Sequence, residues 1–124
     1  MCGRFNIIDN PALRALLNRL GVGLVSSDSG VVSGLNIAPT ETIGLVRAGE
    51  QGNPVYEPAI WWFLLKHDEP QPHPDTRWSC FNARADRMFS SRLYKGAARH
   101  HRCIVPVSGY YEWLGKQGMR IPHY

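Results

Sequence analysis

Helical periodicity runs through one long stretch of this chain, near its start, and that confinement limits the folds open to it. Leu13, Leu16, Leu17 and Leu20 recur at i, i+3, i+4 and i+7, which makes one apolar stripe on a helix. Asn10 can cap that helix, Pro11 suits its first turn and Gly21 can stop it. A second helix is expected from Asp86 to Lys95, stopped by Gly96. Most of the rest reads as short strands: Ile43 to Arg47, Val55 to Leu65, Cys80-Phe81, Arg102 to Val105 and Tyr110 to Leu114. Turns at 48–53 and 106–109 separate some of them, and a hairpin loop at 115–118 leads into Met119–Tyr124. The stretch from Val22 to Gly34 is rich in Gly and Ser and reads as loop or weak strand. Lys66 to Thr76 holds Pro70, Pro72 and Pro74 and reads as an irregular surface loop. The expected class is α+β, mostly antiparallel β-sheet with a few helices, in one domain spanning residues 1–124.

Composition narrows the function classes. At 44% hydrophobic and 19% charged residues the chain suits a globular protein and not a disordered one. No apolar run is long enough to span a bilayer, and the first residues lack the basic-then-apolar layout of a signal peptide. Cys2, Cys80 and Cys103 form no C-x-x-C pair, which points to a reducing compartment, hence a cytoplasmic location. His100-His101 with Cys103 is no metal site by spacing, since adjacent side chains do not share a strand face. The net charge of +4 is unevenly placed: residues 1–76 carry five Lys/Arg against eight Asp/Glu, residues 77–124 nine against two. A basic half suits a phosphate-binding face, and equally a solvated surface. Trp61, Trp62 and Trp78 are core residues by default, but beside a basic half they can also stack unpaired bases.

Three residues stand out for chemistry. Cys2 follows Met1 and is small enough for an aminopeptidase to expose it as the first residue. Its α-amine titrates near pH 8 and its thiol near 8.5, roughly, so both are partly available at neutral pH. Together they can trap an aldehyde: the amine forms a Schiff base and the thiol closes a five-membered thiazolidine. The thiolate can alternatively attack an amide carbonyl, or Cys2 can be an ordinary small residue at a terminus. Glu112 lies between Tyr110-Tyr111 and Trp113-Leu114. Desolvation there would raise its pKa toward the range useful for proton transfer, unless it points to solvent or pairs with an arginine. Asn82, after Cys80-Phe81, reads as a turn or cap residue or as a site residue.

Five segments, in order and spacing, resemble the SOS response-associated peptidase (SRAP) proteins, which process abasic sites. They are residues 1–5 (Met-Cys-Gly-Arg-Phe), 36–39 (Asn-Ile-Ala-Pro), 82–84 (Asn-Ala-Arg), 102–106 (Arg-Cys-Ile-Val-Pro) and 109–113 (Gly-Tyr-Tyr-Glu-Trp). The resemblance spans the whole chain. It implies binding of single-stranded DNA that carries an abasic site, and a covalent cross-link through the N-terminal Cys. Cys2 would be the nucleophile, Asn82 would hold the reacting sugar or the amine, and Glu112 would be the general acid/base. Arg4, Arg84 and Arg92 would grip phosphates, Asn36 would help shape the cleft and Trp62 would contact DNA. No metal or organic cofactor is implied, and the protein would associate with the nucleoid when bound to DNA.

The resemblance also marks departures. The family's tryptophan motif, Trp-Gly-Leu-x-Pro, becomes Trp62-Phe63-Leu64-Leu65-Lys66, and Asp86 stands where a Glu is usual. Family members continue past the equivalent of Tyr124 with further strands and a catalytic His. His123 sits in the wrong segment to be that residue. The chain is therefore expected to be the N-terminal part of the family domain, with an uncovered sheet edge and reduced activity or stability. Two other readings stay open at the level of sequence. One is an N-terminal-nucleophile amidohydrolase or autopeptidase, because class II glutamine amidotransferases also begin Met-Cys-Gly. The other is a non-catalytic module that binds single-stranded DNA.

Overall fold

The computed structural model describes residues 3–22, 30–115 and 119–124. Its order is β1 (Arg4–Ile7), α1 (Pro11–Arg19), β2 (Gly34–Ile37), β3 (Thr42–Ala48), β4 (Pro54–Ile60), β5 (Leu65–Lys66) and β6 (His73–Pro74). Then come α2 (Lys95–His100), β7 (Cys103–Ile104), β8 (Gly109–Leu114) and β9 (Ile121–His123). The strands make a four-stranded sheet in the order β2-β1-β8-β9, a three-stranded sheet β4-β3-β7 and the small pair β5-β6. Every pairing is antiparallel, as the α+β reading requires.

Helix α1 forms where its leucine stripe and caps dictate. The Asn10 side chain accepts from the Leu13 N–H at 2.9 Å, and Pro11 fills the first turn, where its missing N–H costs nothing. At the other end Val22 N–H bonds Leu17 C=O (3.0 Å) and Gly21 N–H bonds Asn18 C=O (2.9 Å), with Gly21 at φ +80°. That pair of bonds is the Schellman C-cap, which needs a left-handed residue. Leu13 and Leu17 are buried. They join Phe5, Ile7, Val22, Val31, Ile37, Ile43 and Val46 in one core that ties both large sheets to α1.

In the middle of β3, Gly44 has no side chain because the Tyr56 phenol lies across it, where a Cβ would collide. The same hydroxyl accepts from the Val32 N–H at 3.0 Å, which pins the segment before β2 to β4.

Several local expectations are corrected. The strand expected from Val55 to Leu65 ends at Ile60. Trp61 still bonds back to Glu41, but Trp62 N–H folds onto Ile60 C=O at 2.7 Å, a bend that ends the ladder. The loop expected from Lys66 to Thr76 contains the β5-β6 pairing, with Lys66 opposite His73. Cys80-Phe81 is not a strand; the Cys80 sulfur instead accepts from Leu64 N–H at 3.3 Å.

The helix expected from Asp86 to Lys95 is a series of turns, and the regular helix lies later, across Gly96. The break falls at Ser91, whose hydroxyl accepts from the N–H groups of Leu93 (3.2 Å) and Tyr94 (3.3 Å). A serine that competes for backbone donors in this way ends one run and starts the next. Strands β1 and β2, not expected as such, complete the four-stranded sheet. Cys2, most of the Val22–Gly34 segment and most of the 115–118 loop lie outside the described residues.

Candidate functional site

The site is built outward from β1. Arg4 pairs with Tyr111 of β8, Phe5 with Tyr110 and Asn6 with Gly109. Glu112 follows Tyr111, the partner of Arg4, on β8. On the other side of β1, the Arg4 Nη1 donates to the Asn36 carbonyl at 3.1 Å. Asn36 adopts φ +55°, a left-handed conformation that asparagine tolerates better than most residues. Its N–H is fixed by the side-chain oxygen of buried Asn6 at 2.7 Å. Asn6 therefore holds the Arg4–Asn36 corner. A polar residue among apolar neighbours in a four-residue strand was the signal for it, and it is too short a pattern to read.

Glu112 is partly exposed between exposed Tyr110 and Leu114 on its own strand face. The expectation that desolvation raises its pKa is overturned. A hydrogen bond from the positively charged amino terminus holds the carboxyl below the ordinary glutamate range. Burial opposes the shift only in part, and the attraction of the same charge and the Trp113 backbone add to it. Glu112 is thus a carboxylate at neutral pH and suits accepting a proton. Across β9 its register partner is His123. The Tyr111 and Tyr124 rings meet at a tilt, 4.9 Å between centroids, and the end of the Tyr124 ring lies over Gly109, where a Cβ would displace it.

Asn82 stands in the segment between β6 and α2. It lines an apolar cavity of about 310 Å³ with Trp61, Trp62, Phe81, Tyr94 and Cys103 among others. Its carbonyl accepts from the Tyr94 hydroxyl at 3.4 Å. Trp62 packs on Phe81 (5.5 Å between centroids) and donates its indole N–H to the Asp75 carbonyl at 3.2 Å. Trp61 does the same toward the Phe81 carbonyl at 3.4 Å. The tryptophan pair thus clamps two loops together. Phe5 stacks on Trp61 at 4.4 Å, which joins this aromatic cluster to β1.

Arg84 is exposed and gripped through two nitrogens by Asp86, each at 3.0 Å. Arg92 is exposed in the turns before α2. Of the expected site residues, then, Arg4 and Asn36 are in contact, Glu112 is on the strand beside Arg4, and Asn82 and Trp62 share the cavity. Among the described residues no cluster of His, Cys, Asp and Glu could hold a metal, and no helix is long and apolar enough to cross a membrane.

The profile of the SOS response associated peptidase (SRAP) family matches residues 1–124. The chain belongs to the SRAP family. Over 64 residues it is 34% identical to the abasic site processing protein HMCES of Gallus gallus, a match covering 51% of this chain and 18% of that protein. Over 68 residues it is 31% identical to the HMCES of Xenopus tropicalis, covering 53% and 20%. The SRAP chain thus matches about a fifth of the length of these curated relatives. No solved structure matches it.

Proposed function

We propose that this SRAP chain processes abasic sites by forming a covalent cross-link to them in single-stranded DNA through Cys2, once Met1 is removed. The observation that carries this reading is the register of β1 on β8, in which Arg4 pairs with Tyr111, the residue before Glu112. Glu112, whose lowered pKa leaves it a carboxylate able to accept a proton, supports it. The family and the names of the relatives supply the substrate class.

The chemistry follows from the groups. The ring-opened abasic deoxyribose presents an aldehyde. The Cys2 amine adds to it and the adduct loses water to give an imine. The thiolate then adds to the imine carbon and closes a thiazolidine, so one C–N and one C–S bond form and one water leaves. Glu112 takes a proton from the Cys2 ammonium, which frees the amine to attack, and returns one to the departing hydroxyl. Asn82 orients the sugar. Arg4, Arg84 and Arg92 hold the flanking phosphates, and Asn36 and Trp62 shape the groove. Arg84 must release Asp86 to do so. The site works in the cytoplasm, at the nucleoid, without a cofactor.

The test mixes the protein with a single strand carrying one abasic site and runs a denaturing gel beside Cys2→Ala, with the loss of Met1 checked by intact mass. A slow band that needs Cys2 is expected. Its absence from folded protein lacking Met1 would sink the covalent reading. Glutamine hydrolysis in place of it would point to the amidohydrolase.

A further inference from the structure

Among the described residues only two that are not glycine adopt a positive φ, Asn36 (+55°) and Thr40 (+82°), and both belong to one segment, Asn36-Ile37-Ala38-Pro39-Thr40. Asparagine tolerates the left-handed region, but a β-branched threonine there is strained. Such a conformation persists only where the surroundings over-determine it, and strain of this kind gathers at sites that must keep one shape. At the near end of the segment, Arg4 and Asn6 of β1 grip Asn36.

Glu41 supplies the hold at the far end. Its carboxylate accepts from the Ala38 N–H, and its own N–H donates back to the Ala38 carbonyl at 3.2 Å. Its carbonyl accepts from the Trp61 N–H at 2.9 Å, while the Thr40 N–H donates to the Trp61 carbonyl at 3.1 Å. These bonds fasten the turn to the ring that stacks on Phe5 of β1. The backbone bonds do not depend on the side chain at position 41, whereas the bond to the Ala38 N–H does. Pro39, whose ring fixes its φ, absorbs little of any shift at Thr40. Ile37 is buried and paired with Phe5. A relaxing Thr40 therefore moves Ala38, and the next yielding point along the chain is Asn36, whose carbonyl meets Arg4.

We propose that Glu41 is a positioning residue: its carboxylate locks the left-handed Thr40 turn and so sets Asn36 and Arg4 where the strand is received. The proposal rests on the abasic-site reading for what Asn36 and Arg4 receive. Glu41 takes no part in the bond-making steps and acts through those two residues.

The experiment compares Glu41→Gln with Glu41→Ala in single-turnover cross-linking to an abasic single strand, over a series of strand concentrations. Both variants lose the same charge, so their difference isolates the hydrogen bond, which a glutamine oxygen can still accept. Half-saturation should need about tenfold more strand for Glu41→Ala than for Glu41→Gln, as when one hydrogen bond to a charged group is lost, with the rate at saturation alike. The Thr40→Gly/Glu41→Ala double variant should recover most of that loss, because glycine takes the left-handed conformation without steric strain. If Glu41→Ala alone fails to fold, recovery of folding and of half-saturation in the double variant is the expected result. Equal half-saturation in the two Glu41 variants, or no recovery in the double variant, would overturn the proposal. Amide exchange followed by NMR reads the same coupling without any chemistry. The Asn36 and Ala38 amides should both exchange faster in Glu41→Ala and stay protected in Glu41→Gln. Faster exchange at Ala38 alone would overturn the link to Asn36. Wild type that gives no cross-link, in a protein whose Asn36 amide responds as expected, would sink the covalent reading and keep the positioning of Asn36.

Discussion

At the scale of single residues, the molecule turns on where charge is held. Glu112 was conspicuous in the sequence for its aromatic neighbours, but Tyr110 and Leu114 on its own face stand exposed and burial opposes the lowering of its pKa only in part. Its lowered pKa comes chiefly from the amino terminus, a partner that spacing along the sequence could not supply. A carboxylate with a lowered pKa keeps its charge as pH falls through the mildly acidic range. Loss of cross-linking between neutral pH and about pH 5 should therefore follow protonation of the Cys2 amine and thiol and not of Glu112. Glu112→Gln should slow cross-linking by roughly 10²-fold at neutral pH, within the usual range for a lost acid–base group, and leave equilibrium binding of the undamaged strand unchanged. Single-turnover rates over a pH series, with anisotropy alongside, check both. An equal loss of binding and rate would make Glu112 a structural residue.

At the scale of elements, legibility followed the length of the pattern. Helix α1 could be read in full because a leucine stripe, an Asn cap, a proline and a terminal glycine all agree. Strands β3 and β8 were legible as apolar runs between turns. The helix expected at 86–95 was misplaced because the contest was decided by one hydroxyl, that of Ser91. Strands β1 and β2 have four residues each, too few for alternation to register. The site was legible mainly as motifs. The Arg4–Asn36 corner and the Asn6 beneath it needed the register. Two glycines test the account of the helices. Gly21→Ala must adopt φ +80° and brings its Cβ to 3.0 Å from Pro54. It should lose about 1–2 kcal/mol, read as a drop of roughly 5 °C in Tm. Gly96→Ala, inside α2 with open space around the new Cβ, should instead raise Tm slightly. Calorimetry of the pair showing equal shifts would contradict the C-cap assignment.

At the scale of the whole molecule, acid is the expected weakness. Asp75 is buried, its carboxyl held down to about 2 chiefly by the hydrogen bonds of Arg77. Its backbone anchors the Trp62 indole and bonds Leu64, so the same residue ties the 62–77 segment together. Glu57, Asp86 and Glu112 are shifted the same way by cationic partners. A carboxyl whose folded pKa is depressed stabilises the fold above its unfolded value, near 4, and loses that contribution as pH falls toward the folded value. Tm should therefore be flat from about pH 7 to 5 and fall steeply between about 4 and 2. Asp75→Asn should lower the plateau and soften the slope. A Tm that holds to pH 2 would contradict the role given to these pairs. Strand β9 forms one edge of the four-stranded sheet, with Ile121 and Tyr124 exposed beside it.

The most direct test of the central claim is the intact mass of the adduct between this protein and an abasic single strand, taken before and after borohydride. Amine and thiol acting together predict protein without Met1 plus strand minus one water, unchanged by borohydride because a thiazolidine holds no free imine. An adduct that gains two hydrogens on reduction would mean a Schiff base alone. An adduct that persists in full with Cys2→Ala would contradict the role of the thiol altogether.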